Sequence, residues 1–196
     1  MKEMNSTVLT ARDLVLYKGD RPVTLEVTDG VTVIQTVRES ASTSLAMALA
    51  GRFRPHSGTI DGPGFKRTAL AGVPLLDSLE RQVSVREVLR EQVAWAQPFF
   101  SWTPKDIMRH KYVARWLAPL KLQGLDAEQP VGELNVLERF RLRILLALVS
   151  RPYAELLIVD DIDQIKDMDL RQELLGDLVS VATHVPVVFT TVNEEL

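Results

Sequence analysis

Three short apolar runs constrain the fold of this chain more than any other feature of its sequence. They occupy residues 31–36, 156–159 and 185–190 and consist mainly of Val, Ile, Leu, Phe and Thr. Apolar runs of about 4–8 residues between turn signals are typical of strands buried on both faces of a parallel sheet. The second run ends in two carboxylates, Asp160 and Asp161. We therefore predict that the three runs lie side by side in the core of an α/β fold.

The segments between these runs carry signals for helices and further strands. Helical spacing of apolar residues recurs within residues 40–51, 84–97, 106–120, 137–150 and 170–181. We expect the third of these helices to follow a cap and first-turn pair at Thr103 and Pro104. Turn signals divide residues 8–37 into two or three short strands, and residues 69–74 are suited to another.

The composition limits the functions open to the chain. Of its 196 residues 46% are hydrophobic and 25% charged, which is typical of one soluble globular domain. The net charge of −3 disfavours a general nucleic-acid binder. The absence of cysteine excludes thiolate chemistry and suits a reducing cytoplasm. No apolar run approaches the roughly 20 residues that span a bilayer, so we expect no direct membrane insertion and membrane association only through a partner.

Four stretches in matching order resemble the nucleotide-binding domain of ATP-binding-cassette (ABC) ATPases. They are LAG, RP and SG within residues 49–58, SVREVL at 84–89, RFRLRILLAL at 139–148 and LIVDD at 157–161. In that family these stretches lie beyond the phosphate loop, at the opening of the helical subdomain, behind the signature and on the Walker B strand. The resemblance covers almost the whole chain.

The resemblance implies a P-loop NTPase-like fold with a mixed β-sheet core, an N-terminal antiparallel β part and a helical subdomain. It implies a single domain over residues 1–196. Within it we expect the core at about 1–75 and 150–196 and the helical subdomain at about 76–135. The cofactors that the resemblance implies are ATP and Mg²⁺.

Residues 36–43, TVRESAST, stand where the family has its phosphate loop, G-x-x-x-x-G-K-[ST]. Only the last hydroxyl survives, as Thr43, while Ala41 replaces the glycine, Ser42 the lysine, and Glu39 adds a negative charge. A left-handed non-glycine residue costs about 1–2 kcal/mol, and a lost charge-assisted hydrogen bond about 1.5–3 kcal/mol. At about 1.4 kcal/mol per tenfold change in affinity, we expect ATP binding to be weakened about a hundredfold or more, or to be absent.

Three further positions lack the family's functional residues. Leu75 stands where a glutamine senses the γ-phosphate and Mg²⁺, and Thr191 aligns with the switch histidine. Residues 134–138, LNVLE, align with the LSGGQ signature, which closes over ATP held by the opposite subunit. Because ABC domains pair head to tail, the loss of both phosphate loop and signature leaves neither shared site complete, even beside a competent partner.

A few candidate site residues are retained. By resemblance, Asp160 orients Mg²⁺ through water with Thr43 as a further ligand, and Asp161 stands where a glutamate polarises the attacking water. The alternative is that Asp160, Asp161 and Asp163 are the polar end of a strand and helix-capping acceptors.

The candidate nucleotide contacts also have structural alternatives. Tyr17 matches the aromatic residue that stacks on adenine, although an aromatic at a strand edge is more often a packing residue. Ser42, Thr43 and Ser44 either contact phosphate or serve only to start the following helix.

Four aromatic residues, Trp95, Phe99, Phe100 and Trp102, are closely spaced in the helical insert. In the family this region forms the groove that receives a membrane subunit. We expect these side chains either to fill the insert's own small core or, where exposed, to form a partner-binding patch.

These observations leave three functions open. The first is a non-hydrolysing ABC-type subunit that binds a protein partner, either a membrane transport subunit or a competent ABC ATPase. The second is a slow motor ATPase of a transporter, and the third is a soluble interaction module unrelated to transport. A homodimer is compatible with each of them. The head-to-tail argument favours the first and third.

Overall fold

The computed structural model describes residues 6–37, 39–74, 76, 79–98 and 100–193, with the backbone alone described at 39 and 40. The strands are Thr7–Val15 (β1), Val23–Thr28 (β2), Val31–Gln35 (β3), Ser57–Asp61 (β4), Thr68–Ala71 (β5), Leu156–Val159 (β6) and Val187–Thr191 (β7). The helices are Glu39–Leu49 (α1), Val85–Ala96 (α2), Lys111–Leu117 (α3), Val136–Ser150 (α4) and Met168–Ala182 (α5).

A parallel sheet in the order β3-β7-β6-β5 forms the centre of the molecule. The strand β7 pairs in parallel with β3 on one side and with β6 on the other. Every residue of β5, β6 and β7 is buried, as expected for strands covered on both faces. The predicted adjacency of the three apolar runs is therefore confirmed.

A second, antiparallel sheet has the order β2-β1-β4. The sequence predicted strands before residue 37 but not β4, because its glycines suggested a broken chain. Gly58, with φ +96°, instead lies where β4 passes an irregular part of β1, and a Cβ there would be 2.5 Å from the carbonyl oxygen of Asp13. The glycine therefore permits a close approach of two strands.

The parallel sheet separates two apolar cores. Leu157 and Val159 of β6 belong to the core that contains residues of α2, α3, α4 and α5. Leu156 and Ile158 belong to the other core, shared with α1 and the antiparallel sheet. Because the strands are packed on both faces, the positions of their ends are fixed, and the candidate site residues lie at these ends.

The predicted helix over residues 106–120 is wrong in its first part. A 3₁₀ turn over Ile107–Arg109 comes first, and α3 begins only at Lys111. The side chains of Asp106 and His110 each accept a hydrogen bond from the amide two residues ahead, so each starts its own turn. The predicted Thr-Pro pair does not cap the helix. No helix within the described part of the chain is long and apolar enough to cross a membrane.

Candidate functional site

The carboxyl ends of β3, β6 and β7 meet at one edge of the parallel sheet, which is where open α/β sheets place their ligand sites. At this edge β3 leads into α1, and β6 leads into Asp160. Residues distant in sequence therefore come together, namely Ser42 and Thr43 of α1 with Asp160 and with Thr190 of β7.

Asp160 is fully buried, and its carboxylate is surrounded by three hydroxyl groups. Thr43 Oγ1 donates to Asp160 Oδ2 at 2.6 Å, while Ser42 Oγ and Thr190 Oγ1 each lie 2.8 Å from Oδ1. The Ser42 and Thr190 oxygens are 2.5 Å apart. We call these four residues the hydroxyl cluster. They link α1, β6 and β7 at the sheet edge.

Thr190 is the member of the cluster that the sequence analysis missed. The parallel register pairs Val159 with Phe189, so the next residues, Asp160 and Thr190, lie level with each other. The signal available in the sequence was a polar residue, Thr190, at the end of an apolar run, just as Asp160 follows the end of another.

The connection from β3 to α1 differs from a phosphate loop. Ala41 and Ser42, in the second half of the aligned segment, have helical backbone as part of α1. Among the described residues from 36 to 43 none has a positive φ, whereas a phosphate loop uses glycines to turn its N–H groups onto the phosphate. Ser42 is 1% exposed and its hydroxyl contacts Asp160. The side chain of Glu39 lies outside the described residues.

Asp161, the residue matched to the water-polarising glutamate, follows the cluster in a left-handed conformation with φ 51° and ψ 67°. Its side chain is buried, and its amide donates to Thr190 Oγ1 at 2.8 Å. Gly72 (φ +86°) packs at the same corner, and a Cβ there would lie 2.1 Å from the carbonyl oxygen of Asp160. Backbone contacts therefore close this side of the cluster.

Asp163 forms a second buried polar group beside the first. Its carboxylate accepts from Thr191 Oγ1 at 2.9 Å, from Val192 N at 2.7 Å and from Asn193 Nδ2 at 2.6 Å. Arg171 Nη1 lies 3.2 Å from it. The residue at the switch-histidine position, Thr191, is thus bonded to a carboxylate within its own chain.

Tyr17 and Ser44 are in contact with each other. The Tyr17 hydroxyl lies 2.9 Å from Ser44 Oγ, and the Tyr17 ring lies 5.3 Å from that of Phe53 at an interplanar angle of 53°. The tyrosine is 52% exposed. The ring therefore packs on the chain and keeps part of its surface in solvent.

The segment aligned with the signature, residues 134–138, serves as the start of α4. Asn135 Oδ1 accepts from Glu138 N at 2.8 Å, and Glu138 Oε2 accepts from Asn135 N at 3.1 Å, which is a capping box. Leu134 and Leu137 are buried in the apolar core. Of the two residues aligned with the glycines of the signature, Leu137 is thus a core residue, whereas Val136 is 52% exposed.

The aromatic residues of the insert face solvent. Trp95, Phe100 and Trp102 are 82%, 96% and 79% exposed, so the expectation that they fill the insert's own core is wrong for these three. That core is formed instead by residues such as Val93 and Trp116. Two further candidates, Leu75 at the glutamine position and Phe99, lie outside the described residues.

The fold is that of ABC transporter ATP-binding domains, as predicted. It matches a metal-chelate-type ABC transporter with a TM-score of 0.73 and 19% identity, over 96% of this chain and 74% of that one. CbiO1 from Clostridium perfringens, part of the ABC transporter complex CbiONQ, matches with 0.74 and 18%, over 96% and 79%. An ABC transporter ATP-binding protein from Pyrococcus furiosus matches with 0.70 and 18%, over 97% and 93%. No protein-family model and no curated protein matches the sequence significantly.

Proposed function

We propose that this chain is a non-hydrolysing ABC-type subunit that acts by binding a protein partner. The observation that carries the proposal is the hydroxyl cluster, in which Asp160 is engaged by three hydroxyls of its own chain. The partner is a membrane transport subunit, a competent ABC ATPase or a second copy of the chain. We place the protein in the cytoplasm, associated with a membrane through that partner.

The residues at the cluster do not fit Mg-ATP in the arrangement observed. Mg²⁺ needs accessible oxygen ligands at about 2.0–2.1 Å and keeps several waters. Asp160 is fully buried, and the hydroxyl of Thr43, the other ligand implied by the resemblance, is bonded to it. At the lysine position Ser42 offers no positive charge to the phosphates. We therefore propose that ATP and Mg²⁺ bind weakly or not at all.

The start of α4 supports the same proposal for the other half of a shared site. Replacing Leu137, which aligns with a glycine of the signature, by glycine would remove a core side chain worth about 2–5 kcal/mol. Residues 134–138 thus contribute to the stability of the fold. They contain no glycine whose backbone could contact a nucleotide bound to a partner. We propose the core at about 1–75 and 150–196 as the scaffold and residues 76–135 as the helical part that reaches the partner.

A titration of the purified chain with Mg-ATP tests the proposal. We expect no saturable binding at micromolar nucleotide and no Mg²⁺-dependent turnover above that of buffer. Turnover that disappears in Asp160→Asn would overturn the proposal and establish the slow motor ATPase instead.

A gain-of-function variant makes the test more specific. Glu39→Gly removes the negative charge, Ala41→Gly restores a glycine and Ser42→Lys restores the positive charge of a phosphate loop. We expect the triple variant to bind ATP at least about tenfold more tightly than a control that carries only the two glycines, since a charge-assisted contact is worth about 1.5–3 kcal/mol. Equal affinities would show that the lost lysine is not what limits binding.

A further inference from the structure

A folded loop presents the exposed aromatic residues at the end of α2. Trp95 lies in the last turn of the helix, and Phe100 and Trp102 lie in the loop that follows. Gln97 Nε2 donates to Thr103 Oγ1 at 2.7 Å, which closes the loop across these residues. The aromatic side chains are therefore held on a defined surface.

Trp102 lines a cleft of about 560 Å³ next to this loop. The cleft is also lined by Lys111, Tyr112 and Tyr153, which come from α3 and from the turn before β6. Burial, and next the neighbouring Tyr153, raise the pKa of Tyr112. Arg115 Nη2 donates to the carbonyl oxygen that precedes Tyr153 at 2.6 Å and holds that turn against α3. The cleft is thus built from three segments, of which α3 and the turn before β6 are tied together.

The charge around the cleft is opposite to that of the molecule. Residues 95–115 hold four basic side chains and one carboxylate, a net charge of +3, in a chain whose net charge is −3. The carboxylate, on Asp106, lies 3.1 Å from Arg109 Nε. None of the described residues that line the cleft is acidic, and Lys111 is among them. Burial, and next the neighbouring Lys111, lower the pKa of His110, so this lining residue is neutral at neutral pH.

We propose that this aromatic–basic surface, made of Trp95, Phe100, Trp102, Lys111 and Tyr153, binds an acidic segment of the protein partner that carries an aromatic or aliphatic anchor. The inference rests on the proposed function, because it specifies the partner's chemistry. The anchor occupies the cleft against Trp102 and Tyr153. The carboxylates of the segment face Lys111 and the basic residues around it, which gives orientation and speeds association.

The shape of the surface favours a peptide over a lipid bilayer. The exposed aromatic side chains suit either ligand, but the cleft is lined by Gln97, Ser101 and two phenols that can hydrogen-bond to a peptide backbone. An acidic peptide is also favoured over nucleic acid. The basic patch is small, and the net charge of the whole chain is negative, which disfavours binding to a phosphate backbone.

Two labelled peptides test the proposal on the full chain. One alternates Glu with Phe and Leu, and its partner peptide has Gln at every Glu position. Fluorescence anisotropy should show saturable binding of the acidic peptide, at least about tenfold tighter than the Gln peptide and weakened by salt. Vesicles of phosphatidylcholine with and without phosphatidylglycerol are included as the competing ligand.

Variants locate the binding. Trp102→Ala and Lys111→Glu should each weaken acidic-peptide binding about tenfold or more, while Lys66→Glu, an exposed lysine in the core part of the chain, should change it less than about twofold. Circular dichroism confirms that each variant is folded. Equal binding of both peptides, indifference to Trp102→Ala and Lys111→Glu, absence of binding, or binding to anionic vesicles alone would each overturn the inference. The Mg-ATP titration is independent of all four outcomes, so failure here leaves the non-hydrolysing proposal standing or falling on its own test.

Discussion

The hydroxyl cluster and the aromatic–basic surface combine polar and apolar groups in opposite ways. In the cluster a carboxylate is fully buried, and its partners belong to the same chain. On the surface, indole and phenyl rings are more than three-quarters exposed, although aromatic residues are commonly core residues. The hydroxyl cluster, at the sheet edge where the fold would bind a ligand, is thus occupied by the chain's own side chains. The aromatic residues of the aromatic–basic surface are instead exposed to solvent.

This difference indicates where substitutions should affect stability and where they should affect binding. Buried polar groups that are hydrogen-bonded within the chain stabilise the fold, because removing one leaves its partners without a hydrogen bond and away from water. Exposed rings contribute little to folding but can contribute much to an interface. The four predictions that follow test this division, starting with the largest expected effect.

Asp160→Ala should lower the free energy of unfolding by about 3–5 kcal/mol, because it leaves several buried hydroxyls without their acceptor. Urea unfolding followed by circular dichroism measures the change. Asp61→Ala on β4, where the aspartate is exposed, is the matched control and should stay within about 0.5 kcal/mol of wild type. Similar values for the two variants would mean that the cluster does not stabilise the fold.

Gly72→Ala should destabilise the chain by about 2 kcal/mol or more, since its Cβ would meet the carbonyl oxygen of Asp160 at 2.1 Å in a left-handed conformation. Gly19 has φ +97° with nothing within 4 Å of an added Cβ, so Gly19→Ala reports the dihedral strain alone. The difference between the two variants in thermal or urea unfolding measures the contact at the cluster. No difference would contradict the tight corner described above.

The stability of the chain should fall by about 1 kcal/mol as the pH drops below the unfolded-state pKa of His110, because a protonated Nδ1 no longer caps α3. The pKa of His110 in the native state is lowered from 6.5 by burial and by Lys111, so folding favours the neutral ring and the loss occurs on the acidic side. Unfolding at pH 7.5 and 5.5 measures it. His110→Asn retains a cap that does not titrate and should remove this part of the difference; an unchanged difference would assign it to other groups.

Trp102→Ala should change the free energy of unfolding by less than about 0.5 kcal/mol, because its side chain is exposed. Trp116, buried in the insert's core, is the matched control, and Trp116→Ala should cost about 3–5 kcal/mol. Melting temperatures of the two variants decide between surface and core roles. If Trp102→Ala lowered the melting temperature as much as Trp116→Ala, Trp102 would be a packing residue of the insert and not a surface residue.

The sequence predicted the parallel core because its strands are continuous apolar runs. Such a run can be recognised without knowing which other strands lie beside it. It did not predict β4, whose glycine at position 58 has a role that only the backbone of β1 explains. Nor did it predict the start of α3, where His110 acts as a cap although Thr103 and Pro104 offered the stronger local signal. The role of Gly58 depends on a contact outside the local window, whereas the start of α3 depends on a local cap from a residue type that is not among the preferred ones.

The candidate site was predicted in part for a similar reason. Alignment with a family motif brought Ser42, Thr43 and Asp160 together, and they are together. Thr190 comes from a strand far along the chain, so its contribution depended on the parallel register of β6 and β7. The exposure of Trp102 could not be deduced either, because hydrophobicity alone does not distinguish a core ring from an interface ring.

The order of strands also bears on how the chain folds as it is synthesised. The strand β7 lies between β3 and β6, and the carboxylate of Asp163 bonds the three residues from Thr191 to Asn193. A nascent chain that has emerged only through α4 can form the antiparallel sheet and local helices, but its parallel sheet lacks both inner strands, β6 and β7. Completion of the core therefore has to wait until translation has passed residue 191, and until then the edges of β3 and β6 are available for contact with chaperones.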